Sequence, residues 1–427
     1  MTSKEEKESK HETTISGPFN IVRLEGEVFG INKVLYVFFD VHMPCEAETT
    51  CENIFSDNIT TYLIKQFSKA NEKAIDFFLE TFPSKLYYST KSIYRGIYLD
   101  DLRKLLSQAF SYDPTQDKVL PSKVFPNVRL HYIDLRDYFF ENIIFQNRDL
   151  YYEFKRIYIN LLTSSVSRND FVQFREQLDN FTKNIKFMLD LFFGQKGGKQ
   201  AKRSIIKQIK EELSEEERHE NTLKLIKKIK EKYLHPEVQK IILLMLDEFM
   251  KKGLLAVLDK IDKINKLLED LLKLFEIGSS SLNTSKAIYD EYTKVPEFVQ
   301  FADYGINLND IIKIVTNIYF LVNSMYTILR RSSTVIVDAY FLRRFLDKDY
   351  ITNGISYTGA NHSIMYVYIL TKYFDFKVTH ASYSKYDINE LNDRIKKTNI
   401  GQDFAMLFSP LEEYQCSNIT DFPEGFS

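Results

Sequence analysis

The sequence predicts an α/β protein whose mostly parallel sheet is built from N-terminal and C-terminal segments and is interrupted by a large α-helical insertion. Short runs of β-branched and aromatic residues alternate with helical patterns in the first third of the chain, and this alternation returns near its end. Between them, almost every window has the apolar spacing that is typical of helices. We therefore expect a disordered tail (1–17), the first part of the core (18–137), the insertion (138–334), and the second part of the core with a C-terminal extension (335–427).

Local patterns predict the elements of the first part of the core. Residues 19–41 are typical of a β-hairpin, with Gly26 and Gly30 between two β-rich runs. The second run, 33–39, is apolar almost throughout, which indicates a strand that is covered on both faces. Beyond it we expect a helix at about 58–71, a strand at 74–80, a helix at about 97–110 and a strand at 128–134.

The insertion combines apolar helical stretches with one strongly charged segment, residues 199–233. We interpret that segment as a solvated helix face or a mobile segment, because glutamates interrupt its lysines and no aromatic residues interleave as they do in nucleic-acid-binding segments. A protein partner is the interaction that we expect for the insertion. After it, the patterns predict a strand at 355–358, a turn at 359–362, a helix at about 363–374 and a strand at 376–379.

Composition argues against several classes of protein. The 427 residues include 57 Lys and Arg against 59 Asp and Glu, a balance that argues against a dedicated nucleic-acid-binding protein. No run of about 18 apolar residues occurs, so we expect no membrane span. The N-terminus lacks the apolar stretch of a signal peptide, and three cysteines are too few for a disulfide framework, so we expect an intracellular protein with reduced thiols. The alternative is that Cys45 and Cys51 pair or contact a metal.

Asp40 and His42 follow the strongest predicted strand. Residues i and i+2 of an extended segment face the same side, so a carboxylate and an imidazole can be presented to one point. This mixed pair suits a divalent metal, and ligands of open α/β sheets bind beyond the carboxyl ends of the strands. The alternative is that His42 begins a loop and Asp40 caps a neighbouring helix.

Three further candidates lie on the next predicted strands. Glu80 ends the strand at 74–80 and would lie at the same edge as Asp40, as a ligand or general base; the alternative is a helix cap or a surface acid. Arg129 and His131 form another i, i+2 pair and are candidate catalytic residues. A histidine within a strand is more often a hydrogen-bonded core residue, which is the alternative for His131.

His362 belongs to the most specific local pattern, Gly359-Ala-Asn-His362. The glycine permits a tight turn from strand to helix, and His362 then lies in or near the first helical turn. Because backbone N–H groups and the helix dipole disfavour a cation there, this position suits a neutral imidazole that binds a metal. The alternative is a glycine turn in which Asn361 caps the helix.

Two short motifs together resemble the Tiki, TraB, ChaN and erythromycin-esterase-like superfamily. The segment from Tyr357 through Gly359 to His362 is similar to its late motif, and Asp40-Val-His42 occupies the place of its first motif, with Phe39 where the family has glycine. Glu80 occupies the place of its second-strand acid. The resemblance implies a metal-assisted or acid/base hydrolase site that is made from His42, Glu80 and His362.

A second resemblance is to uncharacterised proteins of large DNA viruses of protists. It rests on the Asp-x-His strand end, on the late Tyr-x-Gly-x-x-His segment, and on a helix with Asp338, Ala339, Tyr340 and Arg344. It implies a location in the host cytoplasm or the virion, and no known activity.

The sequence thus supports two hypotheses of function. The first is a hydrolase-like protein that acts on a small molecule or peptide, in which Asp40, His42 and His362 hold a divalent metal or act with Glu80 as acid and base. The second is a non-catalytic viral structural or interaction protein on a degenerate α/β scaffold. P-loop, dinucleotide-binding and Gly-x-Ser-x-Gly motifs are absent, which argues against three common enzyme classes.

Overall fold

The structure is a computed structural model. It describes residues 12–45, 51, 53, 55–69, 73–81, 96–113, 118–139, 141–163, 165–194, 216–277, 281–283, 308–410 and 415–426. Most of the predicted tail therefore lies outside the described residues, as does much of the charged segment at 199–233. The last part of the predicted tail is different from expectation, because Thr14–Ser16 form a strand in which Ile15 is fully buried.

The chain forms two compact units. The first comprises Met1–Leu135, Tyr233–Ile242 and Val337–Ser427, and the second comprises Arg136–Lys232 and Leu243–Ile336. The elements up to Leu135 are β1 (Thr14–Ser16), β2 (Asn20–Val28), β3 (Ile31–Asp40), β4 (Asp57–Asn58), α1 (Ile59–Lys69), β5 (Ile75–Leu79), α2 (Tyr98–Ala109), β6 (Tyr112–Asp113), β7 (Lys118–Val119) and β8 (Val128–Tyr132).

The middle of the chain is helical, apart from two short strands. Its elements are α3 (Arg136–Phe139), α4 (Glu141–Thr163), β9 (Ser165–Ser167), α5 (Arg168–Phe193), α6 (Glu216–Glu231), α7 (Pro236–Met245), a π-helical turn (Leu246–Lys251), α8 (Lys252–Ile277), β10 (Ser281–Asn283) and α9 (Leu308–Asp347). The remaining elements are β11 (Asn353–Gly359), α10 (Ala360–Tyr373), β12 (Lys377–Ala381), α11 (Ile388–Lys397), α12 (Gln402–Ala405), β13 (Cys416–Asn418) and a 3-10 turn (Glu424–Phe426).

The main sheet of the first unit is mixed. Its strand order is β12-β2-β3-β11-β5-β8. The pairs β3/β11, β11/β5 and β5/β8 are parallel, whereas β12/β2 and β2/β3 are antiparallel. The prediction of a mostly parallel sheet is therefore not confirmed. The hairpin explains part of the difference, because the two-residue turn Phe29–Gly30, with both φ angles positive, joins adjacent antiparallel strands.

The central strands are covered on both faces, as the apolar run at 33–39 predicted. One face of the sheet packs against α1 and α2 through a cluster that includes Tyr36, Phe38 and Tyr357. On the other face, Phe78 of β5 packs edge-on against Phe341 of α9, with ring centroids 4.8 Å apart. Two apolar layers thus fix β3, β5 and β11 side by side, which determines where their carboxyl ends lie.

The second unit is a group of long helices. The capping box of Ser167 and Asp170 begins α5, and aromatic pairs such as Phe154–Phe174 link α4 to α5. One helix among the described residues, Asp310–Asp347, is long and apolar enough to cross a membrane, although only 28% of its most apolar window is buried within the protein. The expectation of no membrane span did not anticipate this helix. Length and composition are weak indications, since core helices also meet these criteria.

The cysteines differ from expectation. Cys51 and Cys416 form a disulfide, and Cys45 is the free thiol. The pairing follows from the fold, because Ser16 of β1 lies opposite Cys416 in the register and its hydroxyl is 3.7 Å from the Cys51 sulfur. Sequence reasoning missed this pair because the two cysteines are 365 residues apart.

Candidate active site

The carboxyl ends of three neighbouring strands carry the main candidates. β3 ends at Asp40, Glu80 follows β5, and β11 ends at Gly359, three residues before His362. In the parallel register Gly359 lies opposite Asp40, and Tyr357 lies opposite Leu79. His42, Glu80 and His362 are therefore brought to one edge of the sheet, as the sequence predicted.

Five side chains form a continuous array, which we call the Glu80 centre. His42 Nδ1 donates to Asp40 Oδ2 at 2.6 Å, and His42 Nε2 lies 3.4 Å from Glu80 Oε2. His362 Nε2 lies 3.4 Å from Glu80 Oε1, and His362 Nδ1 donates to Asp338 Oδ1 at 2.5 Å. Glu80 thus lies between two imidazoles, each of which is held from behind by an aspartate.

The role of Asp40 differs from the prediction that it shares a ligand point with His42. The strand ends at Asp40, and His42 has a positive φ of 57°, so extended geometry does not continue to it. Asp40 instead binds the Nδ1 side of the His42 ring, away from Glu80. Such a carboxylate fixes the tautomer and orientation of an imidazole.

Gly359 makes room for the Glu80 centre. Its backbone N–H donates to Glu80 Oε2 at 2.8 Å. A Cβ at this position would be 2.9 Å from His42 Nε2 and 3.4 Å from Glu80 Oε2. The glycine is therefore needed for the close approach of these two side chains, in addition to the turn that the sequence suggested.

Asp338 is the member of the Glu80 centre that sequence reasoning missed. It lies in α9 and is almost fully buried. An acid at a buried position of an apolar helix is a signal of a paired or functional group. The viral resemblance included Asp338, but the sequence gave no indication that it contacts His362.

Both imidazoles of the Glu80 centre favour the protonated state. Burial alone would lower the pKa of His42, but its hydrogen bonds to Asp40 and Glu80 outweigh burial and raise the pKa to about 9. Burial likewise opposes the protonation of His362, but the charges of Asp338 and Glu80 raise its pKa to about 10. The neighbouring carboxylates therefore favour the imidazolium form of both rings, which differs from the expectation that the start of the helix keeps His362 neutral.

Arg129 and His131 are held in a separate group, the Asp76 cluster, toward the start of β5. Arg129 forms two hydrogen bonds with Asp76, at 2.8 and 2.5 Å, and His131 Nε2 lies 2.7 Å from Asp76 Oδ1. The His131 ring stacks on Phe78, with centroids 4.7 Å apart. Burial, together with the charges of Arg344 and Arg129, lowers the pKa of His131 despite the opposing effect of Asp76. We therefore interpret His131 as a hydrogen-bonded core residue, which was the alternative to a catalytic role.

The donor set of the Glu80 centre fits a divalent transition metal in its chemistry. Two imidazole nitrogens and a carboxylate are common ligands, and metal-binding histidines usually donate their other ring N–H to a carboxylate, as His42 and His362 do. Within the part of the chain that the structure describes, however, no three His, Cys, Asp or Glu side chains are arranged as a ready metal site. The metal therefore stays a proposal.

The fold and the Glu80 centre define an α/β protein with a histidine–carboxylate centre at the edge of a mixed sheet. The chain belongs to a family described as "Family of unknown function (DUF5847)", whose profile matches residues 13–427. It is 34% identical over 424 residues to Uncharacterized protein R706 of Acanthamoeba polyphaga mimivirus, covering 96% of each chain. It is 33% identical over 448 residues to Uncharacterized protein R161 of the same virus, covering 98% of this chain and 99% of the relative.

These similarities bear differently on the two resemblances. They support the resemblance to proteins of large DNA viruses, and hence a virus-associated protein. They do not support the resemblance to the Tiki and TraB superfamily. No solved structure matches the chain.

Proposed function

We propose that the Glu80 centre is the acid/base site of a hydrolase. The observation that supports this proposal is the placement of the Glu80 carboxylate 3.4 Å from the Nε2 atoms of both His42 and His362. A carboxylate that lies between two imidazoles can exchange protons with them, which is the arrangement that general acid–base catalysis uses.

Exposure assigns different roles to the two histidines. The His42 side chain is 34% exposed, whereas that of His362 is 4% exposed. His42 is therefore the imidazolium that can reach a substrate and act as general acid. His362, paired with Asp338, is a buried positive charge that positions Glu80.

Glu80 is the general base of the proposed reaction. It takes a proton from a water molecule, whose oxygen attacks the electrophilic carbon of an ester or amide. His42 gives its proton to the leaving group as the bond to that group breaks. Glu80 Oε2 and His42 Nε2 are neighbours, so the proton then returns from Glu80 to His42 and restores the starting state.

The test uses Glu80→Gln and a panel of p-nitrophenyl esters, with p-nitroanilides as amide probes. Losing the base lowers kcat/KM by about 10²–10⁴-fold. Asp76→Asn is the matched control, since it removes another buried carboxylate four residues earlier in the chain, and it should leave most activity intact. Equal rates for Glu80→Gln and the native chain on a hydrolysed probe would refute the role of Glu80.

A divalent metal is the second candidate, and one observation favours it. Each histidine turns Nε2 toward Glu80 and holds Nδ1 on an aspartate, and metal-binding histidines usually donate their other ring N–H to a carboxylate in this way. His42, His362 and Glu80 would hold the ion, which would supply Lewis-acid activation of water. Metal content of the purified protein is the test, with His42→Ala/His362→Ala as comparison; equal metal in both would exclude this site.

The non-catalytic alternative is a viral structural or interaction protein that binds a partner through the helical unit. It becomes the better explanation if the native chain hydrolyses none of the probes. The disulfide favours the virion over the reducing host cytoplasm as the location of the mature protein. Thiol labelling of purified virions tests this location, because only Cys45 would react before reduction.

A further inference from the structure

A cavity of about 410 Å³ lies in the first unit, where the C-terminal segment of the chain passes the edge strand β12. Its wall is formed by residues 379–382 at the end of β12, by Ile388 at the start of α11, and by residues 418–422 at the end of β13. Glu12, which precedes β1, completes the lining. Ligand sites commonly have volumes of ~300–1,000 Å³, so the cavity can hold a small molecule or a side chain.

Hydrogen bonds between distant segments hold the walls of this cavity in place. The Thr13 N–H donates to Thr420 Oγ1 at 2.9 Å, and the Ile419 N–H donates to the Thr13 carbonyl at 2.8 Å. The Ser382 hydroxyl donates to Asn20 Oδ1 at 2.9 Å. These bonds join segments that are 407 and 362 residues apart, so the fold itself determines the shape of the cavity.

The charge of the lining is negative. Among the described residues that line the cavity, Glu12 and Asp421 are acids and none is lysine or arginine. The guanidinium of Arg23 donates to Thr379 at 2.8 Å, but it is paired with Glu25. A cleft that is lined by charges of one sign concentrates the opposite charge, so this cavity favours a cation.

The hydroxyl groups of the lining present acceptors to the cavity, because their protons are used within the protein. Thr379 donates to the Arg23 carbonyl at 3.3 Å, Ser382 donates to Asn20 Oδ1 at 2.9 Å, and Thr420 donates to Asn418 Oδ1 at 2.7 Å. Each hydroxyl has one proton to give. A ligand of this cavity must therefore bring hydrogen-bond donors of its own.

His380 adds a further acceptor. Its Nδ1 lies 3.1 Å from Thr379 Oγ1, whose proton goes to the Arg23 carbonyl, so Nδ1 is the donor in this contact and Nε2 is the acceptor. Burial and the charge of Arg23 lower the pKa of His380, despite the opposing charges of Glu25 and Asp421. The ring is therefore neutral at neutral pH.

Phe422 supplies an aromatic ring to the same lining, with its centroid 5.4 Å from that of the His380 ring. The face of an aromatic ring attracts cations, and guanidinium groups are found there more often than ammonium groups. Acidic groups, acceptors and an aromatic ring thus line one cavity.

We propose that this cavity binds a guanidinium group. A guanidinium is planar, carries five N–H donors and no acceptor, pairs with carboxylates and stacks on aromatic rings. Glu12, Asp421, His380 Nε2 and Phe422 are the matching partners. The group belongs either to a small molecule or to an arginine of a peptide. None of the five side chains of the Glu80 centre lines the cavity, so the proposal is independent of the proposed function.

Titration calorimetry with the full chain at pH 7 tests the proposal. Methylguanidinium chloride is the probe for a small molecule, and Nα-acetylarginine amide is the probe for an arginine of a peptide. Asp421→Asn neutralises one acid of the lining, and Asp403→Asn, on α12 and outside the lining, is the matched control. Both aspartates are exposed, so both variants should fold.

We expect saturable binding to the native chain and to Asp403→Asn, and about fivefold weaker binding to Asp421→Asn. Nα-acetylcitrulline amide, which has a neutral urea in place of the guanidinium, should not bind. Tighter binding of the arginine probe would support a peptide as the source, and equal binding of both probes would support a small molecule.

Absence of binding by both guanidinium probes would overturn the proposal, as would equal binding to the native chain and to Asp421→Asn. Equal binding of Nα-acetyllysine amide would overturn the guanidinium assignment in favour of a general cation site. Glu80→Gln should retain the binding of both probes, so a failure of this site and a failure of the hydrolase proposal give different results.

Discussion

Two histidine–carboxylate groups lie at opposite ends of strand β5, and the pKa values of their histidines shift in opposite directions. In the Asp76 cluster, burial and two guanidinium groups lower the pKa of His131. In the Glu80 centre, burial acts in the same direction, but flanking carboxylates raise the pKa of His362 to about 10. Because burial lowers the pKa of both rings, the comparison teaches that the charges of the neighbouring side chains account for the difference between them.

The two groups also differ in the distances between their carboxylates and the basic side chains beside them. Asp76 accepts three hydrogen bonds of 2.5–2.8 Å from Arg129 and His131. In the Glu80 centre the Nε2 atoms of His42 and His362 lie 3.4 Å from the carboxylate, which also accepts a hydrogen bond of 2.8 Å from the Gly359 N–H. The short bonds of the first group are typical of a structural ion pair, and the proposed acid/base chemistry belongs to the second.

The largest expected difference between the two groups is in stability. Asp338→Asn leaves the buried His362 cation without its partner and should lower the free energy of unfolding by about 3–5 kcal/mol. Asp76→Asn should lower it less, because the Arg129 side chain is 40% exposed and can be solvated. Urea unfolding of both variants measures this. A larger loss for Asp76→Asn would invert the comparison.

The next effect is on pH dependence. A raised pKa means that folded protein binds the proton more tightly than the unfolded chain, where histidine titrates near ~6.5. His42 and His362 therefore contribute fully to the free energy of unfolding below about pH 6.5. This contribution is lost as the pH rises through about 9 and 10. Urea unfolding between pH 6 and 10 with a chelator should show this fall.

Lys33 also titrates in this pH range, so the unfolding free energies of the native chain must be compared with those of a histidine variant. Burial lowers the pKa of Lys33 to about 8, so its effect has the opposite sign: stability rises as the pH increases above about 8. The variant His362→Asn keeps Lys33, and its unfolding free energy should decrease much less between pH 6 and 10. An unchanged slope in this variant would show that His362 is neutral in the folded protein.

A smaller effect is expected from Gly359→Ala. Its Cβ would be 2.9 Å from His42 Nε2, so the ring must move, at a loss of about 1–3 kcal/mol in unfolding free energy. In a His42→Ala background the same change should be less destabilising, because the atom that it meets is gone. A double-mutant cycle measures this coupling, and additive losses would contradict the predicted contact.

The smallest effect of pH is expected on the ring resonances of His131, because this side chain should remain neutral near pH 7. Its pKa is lowered, so its ring proton resonances should not shift between pH 7 and 9, whereas those of His42 should. NMR titration with His131→Asn for assignment is the measurement. An inflection of the His131 signals above pH 7 would remove the contrast between the two groups.

The sequence predicted the part of the site that depends on strand ends. Asp40, Glu80 and His362 follow recognisable strands, and the carboxyl ends of such strands meet at one edge. It could not predict that Asp76 binds Arg129 and His131, because this requires the register between β5 and β8. Asp338 was missed for a similar reason, since the helix that carries it gives no indication of which strand it faces.

The fold shows the same division between local and distant information. The hairpin and the apolar strand at 33–39 were recognisable from local patterns, and both are present. The antiparallel pairing of β12 with β2 depends on the return of the chain after more than 340 residues, which local patterns do not encode. The mixed character of the sheet follows from this pairing and from the hairpin.

The bond between Cys51 and Cys416 closes most of the polypeptide into a covalent ring. A protease that cuts the backbone once anywhere within this ring leaves a single molecule of unchanged mass, apart from one added water. Both units lie largely inside the ring, so fragments separate on a gel only after reduction. A single backbone cleavage during viral maturation would therefore release no fragment on a non-reducing gel.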